Sequence, residues 1–317
     1  MKQLLLFLFL ASSVTAQDFS LIDQKVRSYP RYTSPEQLAS RISLDFVDGT
    51  SKVRAIFIWL TQNIRYNLEE YYQPKRVIQF QYTTEEERLE KLQAIKDKIV
   101  KDAFLTKMGV CEEYAQSFKK VSDLLGIEAQ VIKGYVRNSA RDIGNIPSTT
   151  NHAWNAVKIN DRWILLDATW AAGYLFNGKW EKSYNEYFFA IDPKKIGRTH
   201  FPNDKKWQIL LNQRSLEDFY NQPIFSHRFL KSDLELLNAN EGKIYLSKSK
   251  SLVLKIRNLP TNIPLFYNYQ GQRYSEKAKV TYDDNTATVT IQNPGRNSEL
   301  YIFLNRSLAL EYKVWIQ

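Results

Sequence analysis

One cysteine and three histidines limit the nucleophilic and acid–base chemistry open to this 317-residue chain. Cys111 follows Met108-Gly109-Val110 and opens a run in which Tyr114, Ala115, Phe118, Val121, Leu124 and Leu125 recur at helical spacing, closed by Gly126. A thiol in the first turn of such a helix meets unpaired backbone N–H groups and the positive end of the helix dipole, and both favour a thiolate. The same position also suits a small buried apolar residue. With no second cysteine, Cys111 cannot form an intrachain disulfide.

His152 and Asp167 are the groups able to act on that thiol. Asn151 to Ile159 and Arg162 to Trp170 read as a β-hairpin around Asn160-Asp161. A two-residue turn there sets Ile159 against Arg162 and, extended back, His152 against Thr169 and Trp154 against Asp167. Because side chains alternate, residues 152, 154, 167 and 169 share one face. His152 and Asp167 are then diagonal neighbours, roughly 7–8 Å apart at the backbone and within side-chain reach. A carboxylate after the apolar run Trp163-Ile164-Leu165-Leu166 needs a partner. Bonded to one imidazole nitrogen, it fixes the tautomer and leaves the other nitrogen free to take a thiol proton. A one-residue slip would send Asp167 to the opposite face.

Other candidates carry less. Trp154 and Trp170 flank the expected site, where they could wall a substrate cleft or pack in the core. His200, in Thr199-His200-Phe201-Pro202, reads as structural, and His227 has no chemistry beside it. One cysteine and three histidines without short ligand spacing predict no metal site, and without a glycine-rich phosphate loop no cofactor is expected.

The elements that must position these residues are legible in outline. Ser51 to Tyr66 and Thr83 to Phe104 read as amphipathic helices, the second with a stripe of Leu89, Leu92, Ile95, Ile99 and Ala103. Asn67 to Tyr82 between them has no period and is expected to wrap the surface. Ile127 to Arg137 reads as a strand and Asn138 to Thr150 as a loop. Beyond about Phe225 short β runs recur: 243–246, 252–257, 265–269, 286–292, 299–304 and 308–316. They predict an antiparallel sandwich of about seven strands, immunoglobulin-like. No cysteine follows Cys111 and no histidine follows His227, so that unit is expected to serve binding, attachment or support.

At the N-terminus, Lys2, the apolar run Leu4 to Leu10 and Val14-Thr15-Ala16 form a signal-peptide pattern, with cleavage near Ala16-Gln17. The expected organisation is therefore a signal peptide at 1–16, an α+β unit at 17–224 and a β-sandwich at 225–317, in a secreted or periplasmic protein with no transmembrane segment. The formal charge of +10 is spread over scattered lysines with no nucleic-acid-binding signature. No nucleic-acid partner is expected, and the charge suits a solvated surface near an anionic cell envelope.

"GVCEEYAQSF" and "NHAWNAVKINDRWILLDATW" resemble the transglutaminase-like superfamily in the order Cys, His before an aromatic, Asp before Thr-Trp. "RAIFIWLTQNIRYN" is similar to the helix preceding its core. "YFFAIDPKKIGRTHFPNDKKWQIL" resembles the extension of the kyphoscoliosis-peptidase and cytokinesis-related branch. The resemblance covers roughly Ser51 to Phe219. It implies a papain-like α+β fold, a helix bearing Cys packed on an antiparallel sheet bearing His and Asp. It also implies that Cys111 is the nucleophile, His152 the general base and acid, and Asp167 the orienting group. The implied function is that of a cysteine protease or amidase acting on a protein or peptide substrate through a thioester, with hydrolysis and transamidation both open. A non-catalytic binding or envelope-associated module of the same fold is the alternative. One departure stands out: the family often has a small residue two positions after the cysteine, where this chain has Glu113, whose charge competes with thiolate formation.

Overall fold

The architecture comes from a computed structural model, in which residues 18–73, 79–208 and 215–317 are described. The expected leader, Lys2 to Ala16, and its junction with Gln17 lie outside these residues. Among the described residues no helix is long and apolar enough to cross a membrane.

The helix Gly49–Asn63 is the centre of the first unit. Asp48 caps it, accepting from Ser51 N at 2.8 Å. One buried face was expected from its spacing. In fact Val53, Ala55, Ile56, Phe57, Ile58, Trp59 and Leu60 are all buried, because other helices and the sheet surround it. Arg54 is buried with them. Its guanidinium forks onto Asp23 at 2.7 Å and Glu186 at 2.6 Å, while Phe19 and Phe189 pack on its faces. The pairing ties the Ser20–Arg27 helix to the segment that leads away from the site. The helix stops before Tyr66, since Arg65–Tyr66 leaves it to pair in parallel with Met108–Gly109.

Glu85–Thr106 forms the expected long helix, but only its C-terminal part (Val100, Ala103, Phe104) is buried and Leu89 is exposed. Cys111–Leu124 follows and packs across the sheet. That sheet is antiparallel, in the order Arg162–Leu166, His152–Ile159, Ala129–Val136, His200–Pro202. The hairpin register is the one read from the sequence: Ile159 pairs with Arg162 and Asn155 with Leu166. Asn160 and Asp161 both take left-handed φ angles, 49° and 59°, the turn that matches strand twist. The second strand, however, ends at Leu166. Residues 167–170 do not continue it: Asp167 caps the short helix Ala168–Ala172.

The C-terminal β region is a sandwich of a four-stranded and a six-stranded sheet over its own buried cluster, from Phe225 to Val314. It is immunoglobulin-like as expected, with two differences. Lys243–Leu246 pairs with the last strand in parallel, not antiparallel. The short strands Glu235–Leu236, Glu276–Lys277 and Lys279–Asp283 carried too little apolar pattern to be read in advance. The loop after Ala129–Val136 is pinned to this sandwich: Ala140 N donates to the buried Glu311 carboxylate at 2.8 Å, and Lys313 Nζ donates to Arg141 and Ile143 carbonyls.

Candidate active site

Cys111 is placed by the chain before it. Met108–Gly109 is held against Arg65–Tyr66, with Asn67 N donating to Gly109 O at 3.0 Å, and Val110 turns the chain into the helix. The thiol is half-buried at the first helical position. Glu113 does not point at it. Its carboxylate folds back to accept from Val110 N at 2.8 Å, satisfying one of the helix's unpaired donors. A Cβ on Gly109 would come within 2.3 Å of the Glu113 Cβ, so glycine at 109 leaves the room that the folded-back side chain occupies. Burial, then the nearby Glu70 charge, pushes the Glu113 carboxyl up to about 7. The small residue usual at this position is thus replaced by a capping group rather than by a charge on the sulfur.

Two polar contacts lock the helix to its surroundings. Asn155, three residues along the strand from His152, donates to Ala115 O at 3.0 Å, and Tyr114 Oη donates to Ile64 O at 2.6 Å. From the sequence Tyr114 is legible only as part of the apolar helix stripe, and Asn155 is missed, although a polar Asn in an otherwise apolar strand is a signal available there.

His152 begins its strand opposite Gly134 and is buried. Its Nε2 lies 2.7 Å from Asp167 Oδ2. Since a carboxylate only accepts, Nε2 carries the proton and Nδ1 is left for the sulfur. Burial alone would depress the imidazolium. The charges of Asp167 and Cys111 and the hydrogen bonds to both outweigh it, and His152 is pushed up to about 10.

Asp167 is fully buried with all its oxygen atoms engaged. Oδ1 accepts from Thr169 N at 2.9 Å and Trp170 N at 3.0 Å, the capping bonds of the Ala168–Ala172 helix. Oδ2 accepts from His152 and also from His200, whose Nε2 is 3.0 Å away. Burial would raise the carboxyl, but the two histidines hold it well below the usual carboxylate range.

His200 therefore belongs to this cluster, although its sequence context reads as structural. It comes from the far edge of the sheet, is fully buried, and has Nδ1 2.8 Å from Thr199 Oγ1. Burial holds its protonation down. His152, Asp167 and His200 offer three ligand atoms within 4.8 Å of one another, the arrangement nearest to a metal site among the described residues. The 2.7 Å and 3.0 Å separations are those of hydrogen bonds; ligands each about 2.0–2.1 Å from a zinc ion stand wider apart than this.

The tryptophans divide. Trp154 is 1% exposed, stacked at 6.1 Å on the His152 ring and edge-on to His200, so of the two roles open to it, cleft wall or core packing, it takes the second and floors the site. Trp170 is half-buried, 5.6 Å from His152, and does reach the surface side. Tyr66 and Tyr71, missed in the sequence, lie near enough to feel the Cys111 charge; burial first, then that charge, raises the Tyr66 phenol, while burial, Tyr72 and Asp142 come before Cys111 in raising that of Tyr71. Tyr66 in turn stacks on Trp180 at 5.1 Å. His227 lies outside the cluster, edge-on to Phe188. A surface hollow of about 290 Å³ lined by Lys96, Gln116, Lys133 and Trp207 includes none of the reactive groups.

Residues 36–168 match the family model of the Transglutaminase-like superfamily. The chain is similar to kyphoscoliosis peptidase of Homo sapiens, 27% identical over 244 residues covering 76% of this chain and 34% of that protein. It is also similar to the Lim and transglutaminase domain protein ltd-1 of Caenorhabditis elegans, 28% identical over 50% of this chain and 24% of that one. The chain thus spans about a third or less of the length of these relatives. Among solved structures, that of a TGase aligns with 57% of this chain and 40% of its own at 16% identity and a TM-score of 0.29.

Proposed function

We propose, for a chain whose residues 36–168 belong to the transglutaminase-like superfamily and whose relatives lie in its kyphoscoliosis-peptidase branch, that Cys111, His152 and Asp167 carry out acyl transfer on peptide amides. The observation that supports this most is the buried 2.7 Å bond from His152 to Asp167, on an imidazole whose protonated form is favoured by both the carboxylate and Cys111.

In this reading the Cys111 sulfur, its proton held by His152, attacks the amide carbon. A C–S bond forms, and the oxygen charge is met by the Cys111 backbone N–H at the helix start. The C–N bond breaks as His152 gives its proton to the departing amine. Water, deprotonated by His152, then cleaves the thioester to release the acid, or an amine takes the acyl group instead. We favour water, which makes the protein a cysteine protease or amidase. Trp170, 5.6 Å from the His152 ring, and Tyr66, near enough to feel the Cys111 charge, suit the walls of a peptide cleft.

The organisation into 17–224 and 225–317 belongs to the proposal, supported by two separate buried clusters. So does export, supported by the Lys2 to Ala16 pattern; it predicts a mature N-terminus at Gln17, readable by mass spectrometry.

Cys111 is the sole thiol, so alkylation reads it alone. Wild-type protein is expected to react with iodoacetamide at neutral pH at least about tenfold faster than free cysteine, and His152→Ala to lose that advantage. A Cys111 no faster than free cysteine and indifferent to His152→Ala would leave the fold as a binding module.

A further inference from the structure

We propose that His200 is a positioning residue for the acyl-transfer site: as a neutral imidazole it donates from Nε2 to Asp167 Oδ2 and holds that oxygen where it meets His152. The inference rests on the acyl-transfer reading for its consequence but not for its geometry.

The bonds to Oδ1 come from Thr169 and Trp170 backbone N–H groups and fix only one end of the carboxylate. Turning about its last side-chain bond moves both oxygens together, so a fixed donor on Oδ2 adds a second restraint against that turn at the end that meets the imidazole. His152 by itself is a weaker anchor, because its ring gains and loses its positive charge as the Nδ1 proton comes and goes, so the strength of its Nε2 bond to Oδ2 changes during the reaction. His200 supplies the second, fixed donor: it is fully buried, 3.0 Å from Oδ2, and its ring is boxed by Trp154 at 4.9 Å, Trp170 at 4.9 Å and Phe188 at 6.3 Å.

The protonation of His200 follows from its two contacts. Nε2 must carry a proton to bond a carboxylate. Nδ1 then accepts from the Thr199 hydroxyl at 2.8 Å, a shorter contact than the 3.2 Å between that hydroxyl and Ile196 O. Were the hydroxyl to turn to Ile196 instead, Nδ1 would need a proton as well, and a second cation would sit 5.7 Å ring to ring from the His152 imidazolium in a dry interior. Thr199-His200 thus forms a relay ending on Oδ2, and Asp167 receives four donors in all.

The test uses the full chain with nitrogen-15 in its three histidines, whose ring signals are assigned by single substitutions. In wild-type protein the proton of neutral His200 is expected on Nε2 and absent from Nδ1; the opposite tautomer, or a cationic ring at neutral pH, overturns the proposal. His200→Phe keeps the ring and removes the donor, while His200→Gln keeps an N–H able to reach Oδ2. His200→Phe is expected to slow Cys111 alkylation about tenfold, the loss of one charge-assisted hydrogen bond, and to speed solvent exchange of the His152 Nε2 proton. His200→Gln is expected to stay within about threefold of wild type in both. Equal behaviour of the two variants would reduce His200 to packing. If wild-type Cys111 proves unreactive, the acyl-transfer reading fails, yet the tautomer and the exchange of the His152 proton still decide whether His200 holds Asp167. Should His200→Phe not fold, the wild-type tautomer and His200→Gln decide alone.

Discussion

His152 and His200 meet on a single oxygen atom: Asp167 Oδ2 lies 2.7 Å from the first Nε2 and 3.0 Å from the second. The carboxylate is fully buried, and all four of its hydrogen-bond partners are donors. It is charged because four hydrogen bonds make the charge tolerable, and it orients His152 because it has nowhere else to turn.

Asp167→Asn is expected to fail on both counts. The amide oxygen can keep the bonds from Thr169 and Trp170, but the NH₂ group then faces two imidazole N–H donors. His152 must change tautomer or turn away, as when the orienting acid of a triad is amidated. Cys111 alkylation should fall by about a hundredfold or more. Loss of a buried charge partner should cost about 3–5 kcal/mol, read as a shift in the urea midpoint.

Stability should fall on the alkaline side of neutrality. His152 protonates at about 10 in the folded chain, against a usual 6.5. Between these values the native state holds a proton that the unfolded state has lost, so the stabilisation is complete below about pH 6.5 and disappears as pH rises through about 10. Urea unfolding across that range is expected to show the decline in wild-type protein and a shallower one in His152→Gln.

Glu113→Gln separates capping from charge. The amide oxygen can still accept from Val110 N, so the helix start is retained. The wild-type carboxyl, raised to about 7, keeps a proton on folding that the unfolded chain has shed above about 4.5. Its presence therefore weakens the fold as pH rises through 7. The variant should be about 1 kcal/mol more stable at pH 8 and no more stable at pH 4, a figure kept small because the group is partly exposed. Removing the charge near the thiol should leave Cys111 alkylation equal or up to about threefold faster.

Gly134→Ala should uncouple the two histidines. Gly134 pairs with His152 on one side and Pro202 on the other, and an added Cβ would lie 2.2 Å from Phe201 O and 2.6 Å from the Trp154 ring. The neighbour on one side is backbone and cannot rotate away, so the edge strand carrying His200 must shift. A loss of about 2–3 kcal/mol is expected by thermal or urea unfolding, within the usual range for overpacking. The His200 ring signals should move more than those of His227.

Local pattern was enough for a good part of this site. The apolar spacing after Cys111, the Asn160-Asp161 turn and the alternation along 152–159 and 162–166 are short-range properties, and they set the helix and the hairpin register as found. That Asp167 needed a buried partner, and that His152 could be it, followed from the same register and from the cost of a bare carboxylate.

Tertiary structure decided the rest. Asp167 leaves the strand because Thr169 and Trp170 N–H groups need a cap, and that choice depends on Phe188 O taking the Asp167 N–H at 2.9 Å. Trp154 became floor rather than wall because Gly134 lets a neighbouring strand close over it. His200 reached Oδ2 from 33 residues further on because its three-residue strand, too short to carry a period of its own, pairs at the sheet's far edge. Sequence fixes spacing along the chain; which distant edge closes over a buried charge is settled only when the whole sheet is packed, since only then does water leave and the unpaired oxygen have to find its second donor.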